Sequence, residues 1–410
     1  MSRIEELFKD KCSNGVLYKP IKEIFDLFSG MTGVSKKWSE DGNCRFIDYM
    51  NVYNNNKIDI TKLPYATVKN LKQNEIKKGD LLLTSASEVP EECAICSVIE
   101  DDIQSGIFMD DHLFGLRLKE QYVGIVNTSF ICYCLNAAPF RNELFKAVRG
   151  VTRFYISNDS YLKLLIPIPP LEIQEEIVRI LDKFGELEAE LEAELEARKS
   201  QYEFWRGKLL KDNDNMVSLK EISVNYSSGV TPLKSDDKFY ENGTINWLRT
   251  GEVKFNEIYD TECFVTEYAL EKTSLKIIPK NCVIVAISGA TAGRCAVNKI
   301  PLTTNQHCLN IEIDSSKASY KYVFYCVASR YNELLSKKEG ARGDLNSTKI
   351  INLKIPMCSL EEQEKIVNIL DKFYALINDI SVGIPAEIEL RRQQYEYYRN
   401  KLLSFEEVDA

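Results

Sequence analysis

Histidine is almost missing from this chain of 410 residues, which contains only His112 and His307. Long apolar runs are missing as well, because no stretch approaches the roughly 18 residues that a membrane-spanning helix requires. The amino-terminal segment MSRIEELFKDKC is too polar for a secretory signal peptide. We therefore expect a cytoplasmic protein that has no membrane partner.

The shortage of histidine limits what the twelve cysteines can do. Cys93 and Cys96 form a C-x-x-C pair, but a structural zinc site needs about four ligands, and the sequence contains no second pair of this kind. Thiols of a protein that is not exported stay reduced. We expect buried cysteines within strands and no metal site.

Motifs for nucleotide and methyl-transfer chemistry are also lacking. The sequence has no G-x-x-x-x-G-K-[ST] phosphate loop. It has no Asn-Pro-Pro-aromatic motif either, since its one Pro-Pro pair, at 169–170, is followed by leucine. The nearest nuclease-like string is Glu-Val-Lys at 252–254, downstream of Asp236 and Asp237, and such carboxylates can hold Mg²⁺. Because the first half of the chain has no counterpart of this string, we expect no catalytic residue.

The net charge of −9 is unevenly distributed. Residues 1–161 and 216–350 together carry 37 basic and 37 acidic side chains and are therefore neutral. Residues 162–215 and 351–410 carry 15 basic and 24 acidic ones, which is the whole net charge. Acidic segments repel phosphate, whereas neutral domains can collect lysine and arginine on one face. DNA binding by the two neutral regions is thus permitted.

What the sequence does contain is an internal duplication. Residues 162–184 and 351–373 are identical at 14 of 23 positions, with an offset of 189. Residues 194–210 and 387–403 are identical at 10 of 17 positions, with an offset of 193. Self-similarity at so long an interval indicates two half-molecules rather than a solenoid of short repeats.

The regions that precede the two copies share little beyond a Ser-Gly-x-Thr string, at 29–32 and 228–231. Similar helical segments that carry dissimilar globular domains suggest one frame that holds two different readers. Each region mixes short β-rich runs with helices, so we predict two small α+β domains. The predicted strands and helices lie at 80–84 and 282–287, and near 130–147 and 319–336, respectively.

Each copy of the repeat begins at a proline and continues with apolar residues at helical spacing. The stripe of the first copy is Ile177, Leu181, Phe184, Leu187, Leu191 and Leu195. The stripe of the second copy is Ile366, Leu370, Phe373, Leu376 and Ile380. Two such helices bury their apolar faces most simply against each other. We predict an antiparallel coiled coil with pseudo-two-fold symmetry.

A tandem unit lies between the two matched blocks of the first copy, where Glu-Leu-Glu-Ala occurs three times over residues 186–197. Each unit adds about 6 Å of helix, so the segment has the properties of a ruler. Its composition is also that of ordinary helix-forming filler with a leucine seam, and that alternative stays open. The second copy is four residues longer here and contains Gly383-Ile384-Pro385, which should break the helix.

At these motifs the chain resembles the specificity subunits of type I restriction–modification systems. Two blocks after each proline entry carry the resemblance, together with the aromatic ends of the helices. They are 171–178 (LEIQEEIV), 180–184 (ILDKF), 360–367 (LEEQEKIV), 369–373 (ILDKF), 201–206 (QYEFWR) and 394–399 (QYEYYR). The order of domain, helix, domain, helix extends the resemblance over the full length.

The resemblance implies two target-recognition domains, at 1–161 and 216–350, each reading one half of a bipartite, asymmetric site in double-stranded DNA. The helical spacers at 162–215 and 351–410 would set the spacing and dock two methyltransferase subunits. The resemblance further implies restriction and motor subunits, and S-adenosylmethionine, ATP and Mg²⁺ bound by those partners, with no cofactor on this non-catalytic chain. Two alternatives stay open: a coiled-coil scaffold without DNA binding, and a self-contained nuclease or methyltransferase.

Contacts to base edges need polar side chains on positioned loops, and contacts to phosphates need amides and cations. In the first domain the candidates are Ser29, Gly30, Thr32, Lys36, Lys37, Arg149 and Arg153. In the second they are Ser228, Gly229, Thr231, Lys234, Arg249, Ser288, Thr291, Arg342 and Asn346. Aromatic residues at the helix ends are either anchors for a partner subunit or caps of the coiled-coil core. These are Tyr202, Trp205, Tyr395 and Tyr398.

Overall fold

The computed structural model describes residues 3–38, 40–338, 345–379 and 381–408, so that Arg342 and Ile380 lie outside the described residues. The protein is of the α+β class, as predicted. Its internal contacts divide it into two units: unit 1 comprises residues 1–191 and 388–410, and unit 2 comprises residues 192–387. Both boundaries between the units fall within the repeated helical segments.

The helices and strands alternate irregularly along the chain. Up to residue 209 they are α1 (Arg3–Lys11), β1 (Tyr18–Pro20), α2 (Ile21–Ile24), β2 (Phe25–Ser29), β3 (Val34–Lys37), β4 (Cys44–Ile47), α3 (Tyr49–Asn54), β5 (Tyr65–Val68), β6 (Leu81–Thr84), β7 (Ala86–Ser87), β8 (Cys96–Val98), β9 (Ile107–Met109), β10 (Leu113–Leu118), α4 (Thr128–Asn136), α5 (Ala138–Ala147), β11 (Phe154–Tyr155), α6 (Asn158–Leu162), β12 (Leu165–Pro167) and α7 (Leu171–Leu209). The following elements are β13 (Met216–Ser218), β14 (Ser223–Ser228), β15 (Ile245–Leu248), β16 (Glu257–Ile258), β17 (Phe264–Val265), α8 (Glu267–Lys272), β18 (Val283–Ala286), β19 (Cys295–Asn298), β20 (Thr303–Thr304), β21 (Cys308–Ile313), α9 (Tyr320–Ser329), α10 (Tyr331–Ser336), α11 (Ser347–Ile351), β22 (Lys354–Pro356), α12 (Leu360–Asn378) and α13 (Ile384–Leu402).

An antiparallel sheet forms the centre of each unit, and the two sheets have the same strand order. The order is β2-β10-β6-β8 in unit 1 and β14-β21-β18-β19 in unit 2, where β16 extends the sheet. A smaller sheet in each unit contains one parallel pair, β4 with β9 in unit 1 and β15 with β20 in unit 2. Two regions that share almost no sequence therefore share one topology.

The central strands β6 and β18 are apolar without alternation because both of their faces are covered. Leu81 and Leu83 pack with helix α4, whereas Leu82 points into the cluster formed with the smaller sheet. Val283 and Val285 pack with α9 in the same way, and Ile284 lies in the opposite cluster. Both strands agree with the prediction. The predicted helices are each split in two, at Ala137, just before Pro139 in the first turn of α5, and at Arg330.

Helix α7 contributes residues to both units. In unit 1, its Phe184 ring lies against Tyr395 and Tyr398 of α13, with ring centroids 6.3 and 5.7 Å apart. One turn later, Glu188 accepts a hydrogen bond from Arg392. Advancing along α7 thus moves backwards along α13, so this pairing is antiparallel, as predicted.

Helix α12 follows the predicted stripe with one difference. Ile366 and Leu370 are buried, but Leu376 is 37% exposed, and the buried residue of that turn is Ile377. The spacing of seven from Leu370 to Ile377 continues a heptad, which explains the difference. The helix ends at Asn378 and α13 begins at Ile384, so the predicted break around Gly383 and Pro385 is confirmed.

A buried glutamine joins each recognition region to its repeated helix. The Gln174 amide accepts a hydrogen bond from the backbone N–H of Asn127 (2.8 Å) and donates to the carbonyls of Pro169 (2.7 Å) and Ile125 (3.0 Å). Gln363 occupies the matching position in the second copy. Its amide accepts from the N–H of Ser319 (2.8 Å) and donates to the carbonyl of Cys358 (2.9 Å).

A repeated aspartate forms a second attachment in each unit. In unit 1, Asp182 accepts hydrogen bonds from the Tyr133 hydroxyl (2.7 Å) and pairs with Lys57 (2.9 Å). In unit 2, Asp371 accepts from the Tyr325 hydroxyl (2.6 Å) and from Lys321 (2.7 Å). Burial and the hydrogen bond to the carboxylate raise the pKa of both tyrosines well above its usual range.

Candidate nucleic-acid interface

The Ser-Gly string of unit 1 lies where β2 ends and β10 begins. Ser29 is the last residue of β2 and pairs with Phe114 in β10. A methyl group on Gly30 would lie 2.0 Å from the carbonyl oxygen of Asp110, so only glycine permits this approach of the two chain segments. The next residue, Met31, donates its N–H to the carbonyl of Met109 (2.9 Å).

The Ser-Gly string of unit 2 makes similar contacts at the end of β14, although its glycine approaches the residue before the loop. Ser228 pairs with Leu309 in β21, and a methyl group on Gly229 would lie 2.0 Å from the carbonyl oxygen of Thr304. Val230 donates its N–H to the same carbonyl (2.9 Å). Both strings, predicted from a faint similarity, therefore hold a loop against the end of the central sheet.

Lys37, the last residue of β3, lies within a charged cluster of unit 1. Its ammonium group donates to Asp110 (2.9 Å) and to Asp111, and His112 Nδ1 lies 2.9 Å from Asp110. Asp110 is buried, whereas Asp111 and His112 are exposed. Partial burial of Asp111 works in the opposite direction, but its hydrogen bonds with Asp110 and Lys37 hold the pKa of its carboxyl group at about 2. The charge of Lys37 is thus already compensated within the protein.

Other candidates of unit 1 lie on β3 and on the surrounding loops. The Thr32 N–H and hydroxyl bond to Gln73, and Lys36 is exposed on β3. Arg149 and Arg153 are exposed on the turn before β11, a strand that pairs with β7. Because β7 follows the end of β6 directly, this turn lies beside the same end of the central sheet.

Candidates of unit 2 divide into those at the sheet end and those away from it. Thr231 bonds to the Gln306 side chain, and Arg249 leads into a 3₁₀ turn that follows β15. Ser288 precedes the 3₁₀ turn that follows β18, and Thr291 is the last residue of that turn. The exposed Lys234 lies beyond Thr231 in the chain.

Asn346 serves as the cap of α11, since its side chain accepts from the N–H of Thr348 (2.6 Å). As contacts to DNA, all of these candidates stay predictions.

The four aromatic candidates separate into two kinds. Tyr202 is 8% exposed in the core of unit 2, and Tyr395 is half-buried against the core of unit 1. Trp205 and Tyr398, in contrast, are 37% and 42% exposed. The first pair fits the core alternative, and the second pair keeps the geometry of partner anchors.

The acidic residues of the nuclease-like motif, Glu252 and Asp236, have structural roles in this fold. The Glu252 carboxylate accepts from the backbone N–H groups of Arg249 (3.0 Å) and Glu262 (3.0 Å). Asp236 caps a short turn through the N–H of Lys238. Both of these carboxylates stabilise turns. The twelve cysteines are free thiols, and Cys93, Cys96, Cys132 and Cys134 are buried.

Sequence reasoning missed the loop residues that follow β9 and β20, among them Asp111 and Gln306. A signal existed in the two histidines, which each end one of these loops. Among the residues described by the structure, no helix has the length and apolarity needed to cross a membrane.

Comparison with known proteins identifies one family. The family model described as "Type I restriction modification DNA specificity domain" matches residues 15–197 and again residues 211–390. The chain is 40% identical over 290 residues to the EcoR124I/EcoR124II type I restriction enzyme specificity subunit of Escherichia coli, covering 67% of this chain and 70% of that one. It is 30% identical over 316 residues to a putative type I restriction enzyme specificity subunit of Haemophilus influenzae, covering 72% and 76%.

Solved structures share the fold at low sequence identity. The S subunit of the type I restriction–modification system of M. genitalium superposes with a TM-score of 0.53 at 14% identity, over 95% of this chain and 96% of that one. The HsdS subunit of Thermoanaerobacter tengcongensis gives a TM-score of 0.55 at 14% identity, over 96% of both chains. A chain from a study of complex assembly of the type I system gives 0.68 at 13% identity, over 95% and 97%.

Proposed function

Since the chain belongs to the type I restriction–modification DNA specificity family, with two domains that recognise DNA sequence and no catalytic role, we propose a division of labour within it. Each unit reads one half of a bipartite, asymmetric site in double-stranded DNA. The repeated helices set the spacing of the halves and dock two methyltransferase subunits. S-adenosylmethionine, ATP and Mg²⁺ enter through the partner subunits, and the complex works in the cytoplasm.

One observation carries this proposal: the same topology occurs twice, on the same repeated attachment points, with different loop residues. Gln174 and Gln363 make corresponding bonds, and so do Asp182 and Asp371. Two recognition units that are attached to the repeated helices in the same way fit a DNA site made of two different halves. The exposed aromatic residues Trp205 and Tyr398 on the repeated helices support docking, because aromatics are enriched in binding hot spots.

Modified-base sequencing tests the proposal directly. This chain is expressed with its cognate methyltransferase in a host that has no DNA methylation of its own, and the methyltransferase alone is the control. We expect methylated adenines within a bipartite motif that disappears when this chain is omitted. An active methyltransferase that yields no such motif would contradict the proposed function.

Spacing and docking have separate tests. Deletion of residues 190–193 removes one Glu-Leu-Glu-Ala unit and about 6 Å of helix. We expect both half-sites to persist with an altered number of unread base pairs between them, and an unchanged number would remove the ruler hypothesis. Trp205→Ala should weaken co-purification of the methyltransferase, whereas Leu233→Ala should not, because Leu233 is an exposed apolar residue that lies outside the helices.

A further inference from the structure

The two histidines of the chain occupy the same position in the two recognition regions. In unit 1, the His112 N–H bonds to the Asp110 side chain (2.8 Å), and the His112 carbonyl accepts from the Ser85 N–H (3.0 Å). In unit 2, the His307 N–H bonds to the Asn305 side chain (3.1 Å), and the His307 carbonyl accepts from the N–H that follows β18 (2.9 Å). These three-residue loops, Asp110–His112 and Asn305–His307, are here called the reading loops.

Both reading loops are also bonded alike at their starts and ends. The N–H of Asp110 donates to the last residue of β4 (2.9 Å), and that of Asn305 donates to the last residue of β15 (3.0 Å). The carbonyl of Asp110 accepts from the first residue of β10 (3.1 Å), and that of Asn305 accepts from the first residue of β21 (3.2 Å). Two sequences that share little therefore build one backbone conformation at the end of the central sheet.

The middle residue is the exposed position of the reading loop that differs between the units. Aspartate and asparagine at the first position have the same shape and bond to the same N–H, and the third position is histidine in both loops. The middle residue is Asp111 in unit 1 and Gln306 in unit 2, and both are exposed. The first bears only acceptors at neutral pH, whereas the second bears a donor and an acceptor side by side.

Each middle side chain is oriented by a residue from the segment after the Ser-Gly string. Lys37 donates to Asp111, and Thr231 bonds to the Gln306 amide. Gln306 also lies 3.1 Å from the ring of His307. An exposed side chain that is held by a neighbour keeps one direction, and this is a requirement for reading a base edge.

Resting on the function proposed above, we propose that Asp111 and Gln306 are specificity-determining residues of the two half-sites. Asp111 accepts a hydrogen bond from the amino group of a cytosine in the half-site of unit 1. Gln306 forms a bidentate pair with an adenine in the half-site of unit 2. These are the pairings that carboxylates and primary amides make in the major groove.

The test uses the complex of this chain with its methyltransferase, and duplexes that carry the wild-type motif with each base replaced in turn. For Asp111→Asn we expect the preference for cytosine at one base pair of one half-site to fall about 10- to 100-fold, with the other half-site unchanged. Asp111→Gln should shift that position towards adenine. Gln306→Glu should produce the reciprocal change, from adenine towards cytosine, in the other half-site.

Matched controls carry the same chemical change elsewhere. Asp101→Asn and Gln201→Glu alter exposed residues of the two units and should leave every preference unchanged. If Asp111→Asn does not assemble, Asp111→Gln decides the question for unit 1. A wild-type motif that all three loop variants leave intact, or a change that spreads to the other half-site, would overturn this inference alone. A wild-type complex without a bipartite motif would instead refute the proposed function, and this inference with it.

Discussion

The repeated glutamines provide the sharpest test of how each recognition region is attached to its helix. Gln174 and Gln363 are fully buried, and their amides bond three and two backbone groups, respectively. Leucine has a similar volume but cannot bond, so Gln174→Leu and Gln363→Leu leave those backbone groups without partners. Because each such group costs about 1–1.5 kcal/mol, we expect losses of about 3–4.5 and 2–3 kcal/mol in unfolding free energy.

Thermal and urea unfolding of the purified chain measures these losses. For domains of this size, 1 kcal/mol corresponds to roughly 2–4 °C, so Gln363→Leu should lower Tm by about 4–12 °C. Gln201→Leu replaces an exposed glutamine on α7 and should change stability by less than about 0.5 kcal/mol. The reasoning is refuted if both buried variants lose less than about 1 kcal/mol, or if Gln363→Leu costs more than Gln174→Leu.

Replacing Gln174 by glutamate should make the stability of the protein depend on pH in a predictable direction. In Gln174→Glu, an ionised carboxylate would face the carbonyl oxygens of Pro169 and Ile125, so the folded state should favour the protonated acid. Its folded pKa should therefore lie above the unfolded value of about 4.3. The unfolding free energy of Gln174→Glu should therefore fall further below that of Gln174→Leu as the pH rises from 4 to 8. A difference that does not depend on pH would contradict the geometry.

Three further outcomes follow from the described contacts. Tyr325→Phe removes the hydrogen bond to the partly exposed Asp371, and we expect a loss of about 1–2 kcal/mol in chemical denaturation. Gly229→Ala places a methyl group 2.0 Å from the carbonyl oxygen of Thr304; the clash should cost about 1–3 kcal/mol, and sequencing should show methylation lost with it. For Asp111, the pKa of about 2 lies below its ordinary value of 3.8, so its stabilising contribution is complete above pH 4 and is lost as the pH falls towards 2. An NMR titration of that carboxyl group with a midpoint near 4 would contradict the ion pair.

Features with a short-range cause were predictable from the sequence. Helix α7 and the break at Gly383 follow from apolar periodicity and proline chemistry, which act within a few residues. The strands β6 and β18 follow from apolar runs next to turn residues. Leu376 was assigned to the buried stripe wrongly, because a spacing of three or four residues leaves the choice between neighbours to packing.

Features with a long-range cause were not predictable. The matching of His112 with His307 depends on strands that meet only in the folded sheet, at an offset of 195 that differs from the 189 of the first helical block. The pairing of Lys37 with Asp110 and Asp111 joins residues more than 70 positions apart. Lys37 therefore looked like a free cation in the sequence, although the fold compensates its charge.

The distribution of identity between the two halves has a physical reason. At the attachment points the side chain itself makes the bond, so an amide at Gln174 and Gln363 and a carboxylate at Asp182 and Asp371 are needed in both units. The bonds that the two reading loops have in common are made mostly by backbone groups, which are the same whatever residue carries them. The exposed middle side chain can therefore differ between the units while the backbone of the loop stays the same, as the specificity role proposed above requires.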